Sequence, residues 1–248
     1  INQAKLKAFE ILIPPLNEQK RILAKLEQLL TDLDKGIEYL ETTKQQLKVY
    51  RQAVLKWAFE GKLTNMIELS EVTSKIGSGA TPKGGEANYK RTGIPLIRSM
   101  NIHFNQIEYN GLAFIDETQA KELDNVIVKV NDVLLNITGA SIGRINIAPK
   151  NLEGARVNQH VSIIRLKEGF SSKFVKYFIQ SPTIQTWITK ENYGVTRQAL
   201  TKGMIEQILI PNIDIQEQNQ IIQEIESRLS VCDKIEETIE SSLQQAEA

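Results

Sequence analysis

The stretch ILIPPLNEQKRILAKLEQLLTDLDK, residues 11–35, decides the architecture because a second copy lies near the other end of the chain. Residues 208–234 read ILIPNIDIQEQNQIIQEIESRLSVCDK. With an offset of 199, residues 18–35 and 217–234 share 7 identities in 18 positions, more than two unrelated amphipathic helices would share. Each copy predicts a short strand, a turn with proline and a long helix. In the second copy, Asp214 stands three residues before Glu217, as in a capping box.

Both predicted helices carry heptad seams of apolar residues. The first should run from about Asn17 to Glu60, which at about 1.5 Å per residue is roughly 65 Å. One of its core positions is occupied by Leu26, Leu33, Leu40, Leu47 and Val54, and the other by Ile22, Leu29, Gly36, Thr43, Tyr50 and Trp57. The seam of the second helix comprises Ile222, Ile225, Leu229, Cys232, Ile239, Leu243 and Ala246, interrupted by Glu236. Such seams pair helices, so we expect an antiparallel coiled-coil pair.

Charge divides the 248 residues unevenly, although 30 basic and 30 acidic residues cancel overall. Residues 1–65 hold 11 Lys/Arg against 8 Asp/Glu, residues 66–205 hold 17 against 12, and residues 206–248 hold 2 against 10. The acidic second helix therefore complements the basic first one, and the middle segment could face phosphate. The alternative is that these are ordinary solvated faces.

Composition places the chain among ordinary globular proteins, with 41% apolar and 24% charged residues. The sequence has no apolar run that could span a bilayer and no signal peptide, so no membrane partner is expected. Because Cys232 is the sole cysteine, no internal disulfide is possible, and a reducing, cytoplasmic location is the simplest expectation. The first residue, Ile1, is not Met, which indicates a fragment.

The central segment changes to a strand period. Strands are predicted at 94–98, 126–130, 132–137, 143–147 and 160–165, punctuated by glycine and proline at 77–82, 84–85, 139 and 143. Ser172–Lys190 is helical, with Pro182 breaking it into two helices. The predicted fold class is therefore α+β: a globular head with a mixed, mostly antiparallel sheet, carried on the helix pair.

Catalytic motifs are absent from the sequence. It has neither a phosphate-binding Gly-x-x-x-x-Gly-Lys-Ser/Thr loop nor a Gly-x-Ser-x-Gly elbow. With one Cys and only His103 and His160, it offers no His/Cys pairs at metal-ligand spacing. His160 is better explained as a hydrogen-bonded strand residue than as a base. We therefore expect a non-catalytic protein that binds neither metal nor cofactor.

Several segments, in order, resemble the specificity subunits of Type I restriction–modification systems. They are ILIPPLNEQKRI (11–22), YRQAVLKWAFEGKLT (50–64), GSGATPK (77–83), GIPLIRSMNI (93–102), VNDVLLNITGASIGR (130–144) and VNQHVSIIRL (157–166). In that family two target-recognition domains alternate with two helical repeats that pair antiparallel. Only one recognition domain is present here, so the resemblance implies a half subunit. Its expected domains are the first repeat with its helix at 1–64, the recognition domain at 65–205 and the second repeat at 206–248.

The resemblance also implies partners. They are double-stranded DNA, methyltransferase (modification) subunits and the restriction/translocase subunit bound through these. A half subunit would also allow a homodimer with a second copy of the chain. S-adenosylmethionine belongs to the methyltransferase subunit, and this chain shows no site for it. One alternative is the recognition-domain fragment of a self-contained restriction/methylation enzyme, and another is a purely structural coiled-coil adaptor.

Base reading needs side chains with two-point hydrogen-bonding geometry: Arg for guanine, Asn or Gln for adenine. The candidates in predicted loops and strand ends are Arg98, Ser99, Asn101, Asn136, Thr138, Ser141, Arg144, Asn158, Gln159, Arg197 and Gln198. Thr81 is a further predicted DNA-binding residue. Phosphate contacts are expected from Lys83, Lys90, Arg91 and Lys202. Each could instead be an ordinary surface or turn residue. Gly139 and Gly143 are expected to serve backbone geometry, and Cys232 to be plain core.

Overall fold

A computed structural model describes residues 12–191 and 199–247 of the chain, which folds as an α+β protein with long helices toward both termini. The chain forms two compact units. The arm unit comprises the described residues up to Val49 and those from Cys232 onward, and the head unit comprises Tyr50–Val231. Along the described ranges, no helix is long and apolar enough to cross a membrane.

The first long helix and the two helices around Pro182 begin and end close to the predicted residues, whereas the short helices at 117–121 and 202–206 were not predicted. The described helices are α1 Leu16–Phe59, α2 Glu117–Lys121, α3 Ser172–Gln180, α4 Pro182–Glu191, α5 Lys202–Glu206 and α6 Ile215–Glu247. Pro182 opens α4, as predicted, because the first turn of a helix needs no amide hydrogen there. The cap of α6 is also confirmed, since the Asp214 carboxylate accepts a hydrogen bond from the Glu217 amide at 2.8 Å.

Within the described ranges, the strands form three sheets rather than one. They are β1 Met66–Glu68, β2 Thr73–Ser78, β3 Ile94–Ile97, β4 Ala113–Ile115, β5 Val133–Asn136, β6 Ile145–Ile147, β7 Arg156–Val157, β8 Val161–Leu166 and β9 Leu209–Pro211. The sheet orders are β1-β9, β2-β8-β5-β6 and β4-β3-β7. Only the β3–β7 pair is parallel among these described strands, so the mostly antiparallel character is confirmed.

Three local predictions are wrong. In the first repeat copy, described residues 12–15 form no strand. Residues 126–130 are not a strand either: a 3-10 turn, Asp124–Val126, includes the first of them, and Ile127 alone forms a bridge, to Arg156. The Asp132 carboxylate then accepts the Lys129 amide at 2.8 Å, which turns the chain before pairing can extend. Gly77 and Ser78, expected to punctuate, belong to β2 instead.

The head unit packs apolar side chains on both faces of its four-stranded sheet. Val133 and Leu135 of β5 join one core with Phe174 and Phe178 of α3, whereas Leu134 joins a second core with the three-stranded sheet. Phe59 of α1 meets the two phenylalanines edge-on, at ring-centroid distances of 5.6 and 5.0 Å. Burial of both faces explains why the three consecutive residues Val133, Leu134 and Leu135 of β5 are all apolar.

The arm unit holds α1 and α6 antiparallel. Leu47, Cys232 and Ile239 are buried together, and Lys44 Nζ lies 2.7 Å from Glu240 Oε1. That carboxylate, as hydrogen-bond acceptor and as charge, raises the pKa of Lys44. The pairing and the core role of Cys232 were both predicted.

The α1 seam is buried along only part of its length. Leu26 is 51% exposed and Leu33 is 43% exposed. The buried part of the seam in the arm unit is therefore centred on Leu47.

Candidate nucleic-acid interface

Loops of the four-stranded sheet meet at one end of the head unit. Ser78, the last residue of β2, pairs with Ser162, and Asn136, the last residue of β5, pairs with Val161, the first residue of β8. Strand β6 begins at this same end, with Ile145 opposite Leu135. The segments at residues 79–83, 137–144 and 158–160 therefore extend from one side of the sheet, here named the loop end.

The three-stranded sheet adds another loop to the loop end. Because β3 runs parallel to β7, with Ile97 beside Val157, the segment at residues 98–103 starts next to residues 158–160. The Asn136 side chain joins the two sheets by donating a hydrogen bond to the Ser99 carbonyl at 2.8 Å. The predicted contact residues carried by loop-end segments are Thr81, Lys83, Arg98, Ser99, Asn101, Asn136, Thr138, Ser141, Arg144, Asn158 and Gln159.

The other predicted contact residues lie apart or outside the described chain. Lys90 forms an isolated antiparallel β-bridge with Phe114 of β4, and its Nζ lies 3.3 Å from Oδ2 of Asp116. The Gln119 amide and Lys90 together lower the pKa of Asp116. Arg91 follows Lys90 and is exposed, and Lys202, exposed at the start of α5, lies 3.4 Å from Glu206. Arg197 and Gln198 fall outside the described residues.

Three asparagines of the set are buried among backbone groups. Asn101 is fully buried, with its oxygen accepting the Arg98 amide at 2.9 Å and its nitrogen donating to the Glu108 carbonyl at 2.9 Å. Asn136 is likewise fully buried. Asn158, 5% exposed, accepts the His160 amide at 3.0 Å. These contacts give the loops fixed shapes, since a buried amide without partners would be costly.

The two strand-end arginines also have partners within the head. Arg98 donates to Glu86 at 2.5 Å and to the Gly111 carbonyl at 2.8 Å, and its guanidinium lies 5.4 Å from the centre of the Tyr89 ring. Arg144 is half-buried, with Nη1 3.5 Å from His103 Nδ1. Arg98 is thus held more firmly than Arg144.

Four polar side chains form a connected network at the loop end. The Thr81 hydroxyl donates to the exposed amide of Gln159, whose Nε2 lies 2.9 Å from His160 Nε2. The other ring nitrogen of His160 lies 2.5 Å from Thr138 Oγ1. His160 is therefore hydrogen-bonded, as predicted, although it stands in the turn before β8. Sequence reasoning missed the network because nothing in a single sequence signals contact between residues 78 apart.

Close backbone packing sets the position of Thr81. The Gly79 amide donates to the Asn158 carbonyl at 3.2 Å, and a Cβ at Gly79 would lie 1.7 Å from the Val157 carbonyl oxygen. Only glycine allows this approach. Gly139 and Gly143 have φ of 72° and 84°, as their predicted backbone role requires. Within the described ranges, no three His, Cys, Asp or Glu side chains are grouped to hold a metal ion.

The fold defines the class of protein: a mixed-sheet head between two copies of a helical repeat. More specifically, the chain belongs to the family described as Type I restriction modification DNA specificity domain, whose model matches residues 1–48 and 62–245. It is 28% identical over 261 residues to the Escherichia coli Type I restriction enzyme EcoBI specificity subunit, covering 93% of this chain and 54% of that protein. The chain thus spans about half the length of the curated relatives it matches.

Solved structures share the fold. A chain from the structural study of complex assembly and conformational transition of the type I R-M system superimposes with a TM-score of 0.73 at 17% identity, covering 95% of this chain and 57% of the other. The HsdS subunit from Thermoanaerobacter tengcongensis gives a TM-score of 0.59 at 19% identity, covering 95% and 55%. The likeness therefore extends over the helices as well as the head.

Proposed function

We propose that this chain is a non-catalytic specificity subunit of a Type I restriction–modification complex, and that its head reads one half of a bipartite double-stranded DNA site. The observation that carries the proposal is the convergence of polar loops at the loop end, where buried asparagines fix the loop backbones. Sequence is read by side chains that reach base edges from a firm scaffold, while phosphate contacts set the register. No cofactor is assigned to this chain.

Roles within the proposed interface follow from exposure. We assign phosphate contacts to Lys83, Lys90, Arg91 and Lys202, and to Thr81 the positioning of the Gln159 side chain. Base contacts are assigned to side chains that remain accessible at the loop end: Ser99, Thr138, Ser141, Arg144 and Gln159. Arg98, Asn101, Asn136 and Asn158 are assigned to loop positioning. Arg197 stays a candidate base contact on sequence grounds.

The proposed DNA binding is tested by titrating the intact chain with short duplexes at several salt concentrations. Because the region at 66–205 holds 17 basic against 12 acidic residues, several phosphates should be neutralised, giving a log–log slope of about minus three to minus five. Affinity that is absent at low salt, or unaffected by salt, would refute the proposal. Charge-neutral Lys83→Gln should weaken all duplexes alike and flatten the slope by about one.

The two repeat copies supply an argument for a second head. In each copy a glutamine donates to a backbone carbonyl five residues earlier: Gln19 to Pro14 at 2.8 Å, and Gln218 to Ile213 at 3.0 Å. Gln218 is fully buried and also binds the head, accepting the Ser171 amide at 2.9 Å. Gln19, its counterpart, is exposed. Among the described residues, the first copy thus presents the same amide to solvent.

The apolar residues of the repeats repeat this contrast. Ile221, Ile222 and Ile225 of α6 are 9%, 5% and 0% exposed in the head core. Their counterparts Ile22, Leu23 and Leu26 are 45%, 57% and 51% exposed. We propose that the head of a second copy of this chain covers this stripe in a homodimer. Burying three such side chains would contribute several kcal/mol, at about 1.5–3 kcal/mol for each fully buried residue.

Light scattering tests the homodimer. Leu26→Asp should shift the mass from two chains toward one, because a buried unpaired carboxylate is costly. Gln28→Asp adds the same charge two residues away, outside the three-residue stripe, and is expected to leave the mass unchanged. A monomeric wild-type chain at micromolar concentration would refute this part of the proposal without touching DNA recognition.

We also propose that the helices dock methyltransferase (modification) subunits and, through them, the restriction/translocase subunit. Support comes from large apolar residues left exposed on α1, among them Tyr39 at 79% and Trp57 at 48%. The alternative, a fragment of a self-contained restriction/methylation enzyme, predicts methylation of DNA by the chain itself. Methyl transfer assayed with the chain alone and with an added methyltransferase subunit separates the two, since a specificity subunit is expected to give activity only in the second case.

A further inference from the structure

We propose that Gln159 reads an adenine in the major groove, with its amide fixed for that base by Thr81 and His160. The inference rests on the proposed DNA recognition and deepens it by naming a specificity-determining residue and the base it selects. Gln159 is exposed at the loop end, on the turn that leads from β7 into β8. Its side chain is the accessible member of the polar network.

The hydrogen bonds of the network determine which groups of Gln159 are already used. The Thr81 hydroxyl donates to Gln159 Oε1. Gln159 Nε2, which can only donate, lies 2.9 Å from His160 Nε2, so that ring nitrogen accepts and the imidazole proton resides on Nδ1. Nδ1 then donates to Thr138 Oγ1 at 2.5 Å. The amide is therefore held from both of its ends.

One donor and one acceptor of Gln159 remain for a ligand. A side-chain amide has two N–H groups and two oxygen lone pairs, and the network uses one of each. Rotating the amide by 180° exchanges the roles of Thr81 and His160 but again leaves one N–H group and one oxygen lone pair free. The free pair is thus set by the neighbours and not by the choice of amide orientation.

Adenine matches the one free N–H group and the one free oxygen lone pair of the Gln159 amide, and guanine does not. In the major groove adenine presents one acceptor, N7, and one donor, the N6 amino group, which an amide satisfies with one N–H and one oxygen. Guanine presents two acceptors there and would need both N–H groups. Because His160 already takes one of them, a guanine contact would require the network to break. A prepositioned amide also loses less side-chain freedom on binding.

Hydrogen bonds hold the backbone on both sides of Gln159 in a fixed conformation. The preceding residue, Asn158, is 5% exposed, and its amide donates to the Ile97 carbonyl at 3.1 Å while its carboxamide accepts the His160 amide at 3.0 Å. The close approach of Gly79 to Val157 brings Thr81 alongside. Both neighbours of the Gln159 amide are thus fixed by backbone contacts of the head.

The test uses the intact chain and a randomised duplex library. Wild type should enrich adenine at a defined position, and Gln159→Ala should lose that preference by about tenfold to a hundredfold at one base pair only. Thr81→Val, which keeps Gln159 but removes the hydroxyl, should lose part of the preference at the same base pair. Gln223→Ala removes an exposed glutamine on α6 and should bind as wild type does.

Base analogues examine the contact itself. Replacing the selected adenine with 7-deazaadenine removes N7, so wild type should lose about threefold to tenfold while Gln159→Ala should not distinguish the two bases. If wild type enriches no sequence, the proposed DNA recognition fails and this inference with it. The inference alone is overturned if wild type is specific but Gln159→Ala keeps every preference, weakens all duplexes equally, or if no adenine of the site responds to 7-deazaadenine.

Discussion

Truncation of Leu47 should loosen the arm unit, whereas truncation of Leu33, at the same heptad position two repeats earlier, should not. Leu47 is 8% exposed against Cys232 and Ile239, and Leu33 is 43% exposed. Truncating a buried leucine to alanine lowers the free energy of unfolding by about 2–5 kcal/mol, depending on how well the surrounding residues close the cavity. The small cluster around Leu47 can relax, which places the expected cost near the lower value, about 2 kcal/mol.

Hydrogen exchange measured peptide by peptide is the suitable assay, because it reports local opening of one segment separately from global unfolding. A loss of about 2 kcal/mol should speed exchange around residues 40–49 by about thirtyfold, at about 1.4 kcal/mol per factor of ten. Leu33→Ala, which also installs a good helix former, should leave that exchange unchanged. Equal effects of the two substitutions, or none from Leu47→Ala, would refute the burial pattern described for the arm.

Three further outcomes are expected. Gly79→Ala should lower the free energy of unfolding by about 1–3 kcal/mol and weaken sequence preference, because the added Cβ would meet the Val157 oxygen. Gly77→Ala is the control: its Cβ would meet nothing within 4 Å, so it should be nearly neutral in thermal melts and library binding. Burial lowers the pKa of Lys176, so the folded chain releases this proton at a lower pH than the unfolded chain does, and the cost of burying the charge is fully present below the lowered pKa. Lys176→Met should therefore raise the melting temperature near pH 7, by an amount that shrinks as pH rises through the lowered pKa toward the ordinary lysine value of 10.5. Arg98→Ala should reduce stability and weaken cognate and scrambled DNA alike; a loss confined to cognate DNA would instead make it a base contact.

The long helices could be predicted from sequence because heptad spacing and capping are local signals. The extent of their burial could not, since it depends on how much partner helix lies alongside. Leu26 and Leu47 are indistinguishable as heptad residues, yet one is half exposed and the other buried. Strands were found where apolar, largely β-branched residues dominate, as in β5 and β8, whereas β2 was missed because Gly77 and Ser78 resemble a turn.

For the candidate site, many of the loop residues could be identified from sequence, but whether each side chain is buried or exposed could not. Asn101, Asn136 and Asn158 have the chemistry of base readers, and the fold buries all three among backbone groups. Burial is a property of tertiary packing, and a short polar side chain serves equally well in a groove or under a loop. The Thr81–Gln159 contact likewise depends on the pairing of β2 with β8, which no local pattern specifies.

The difference in burial implies two roles at the loop end: buried side chains hold the loop backbone, and exposed side chains are free to contact DNA. The buried asparagines bind carbonyl and amide groups, which every residue of a loop supplies, so the loops should keep their shapes when exposed side chains are exchanged. Gln159 and Thr81 contribute little to the cores and should accept substitution with little loss of stability. Substitution of Asn101 leaves buried backbone partners unpaired, at about 1–3 kcal/mol for each group. A head built in this way can change the base it reads by altering exposed side chains, while the scaffold that aims them stays fixed.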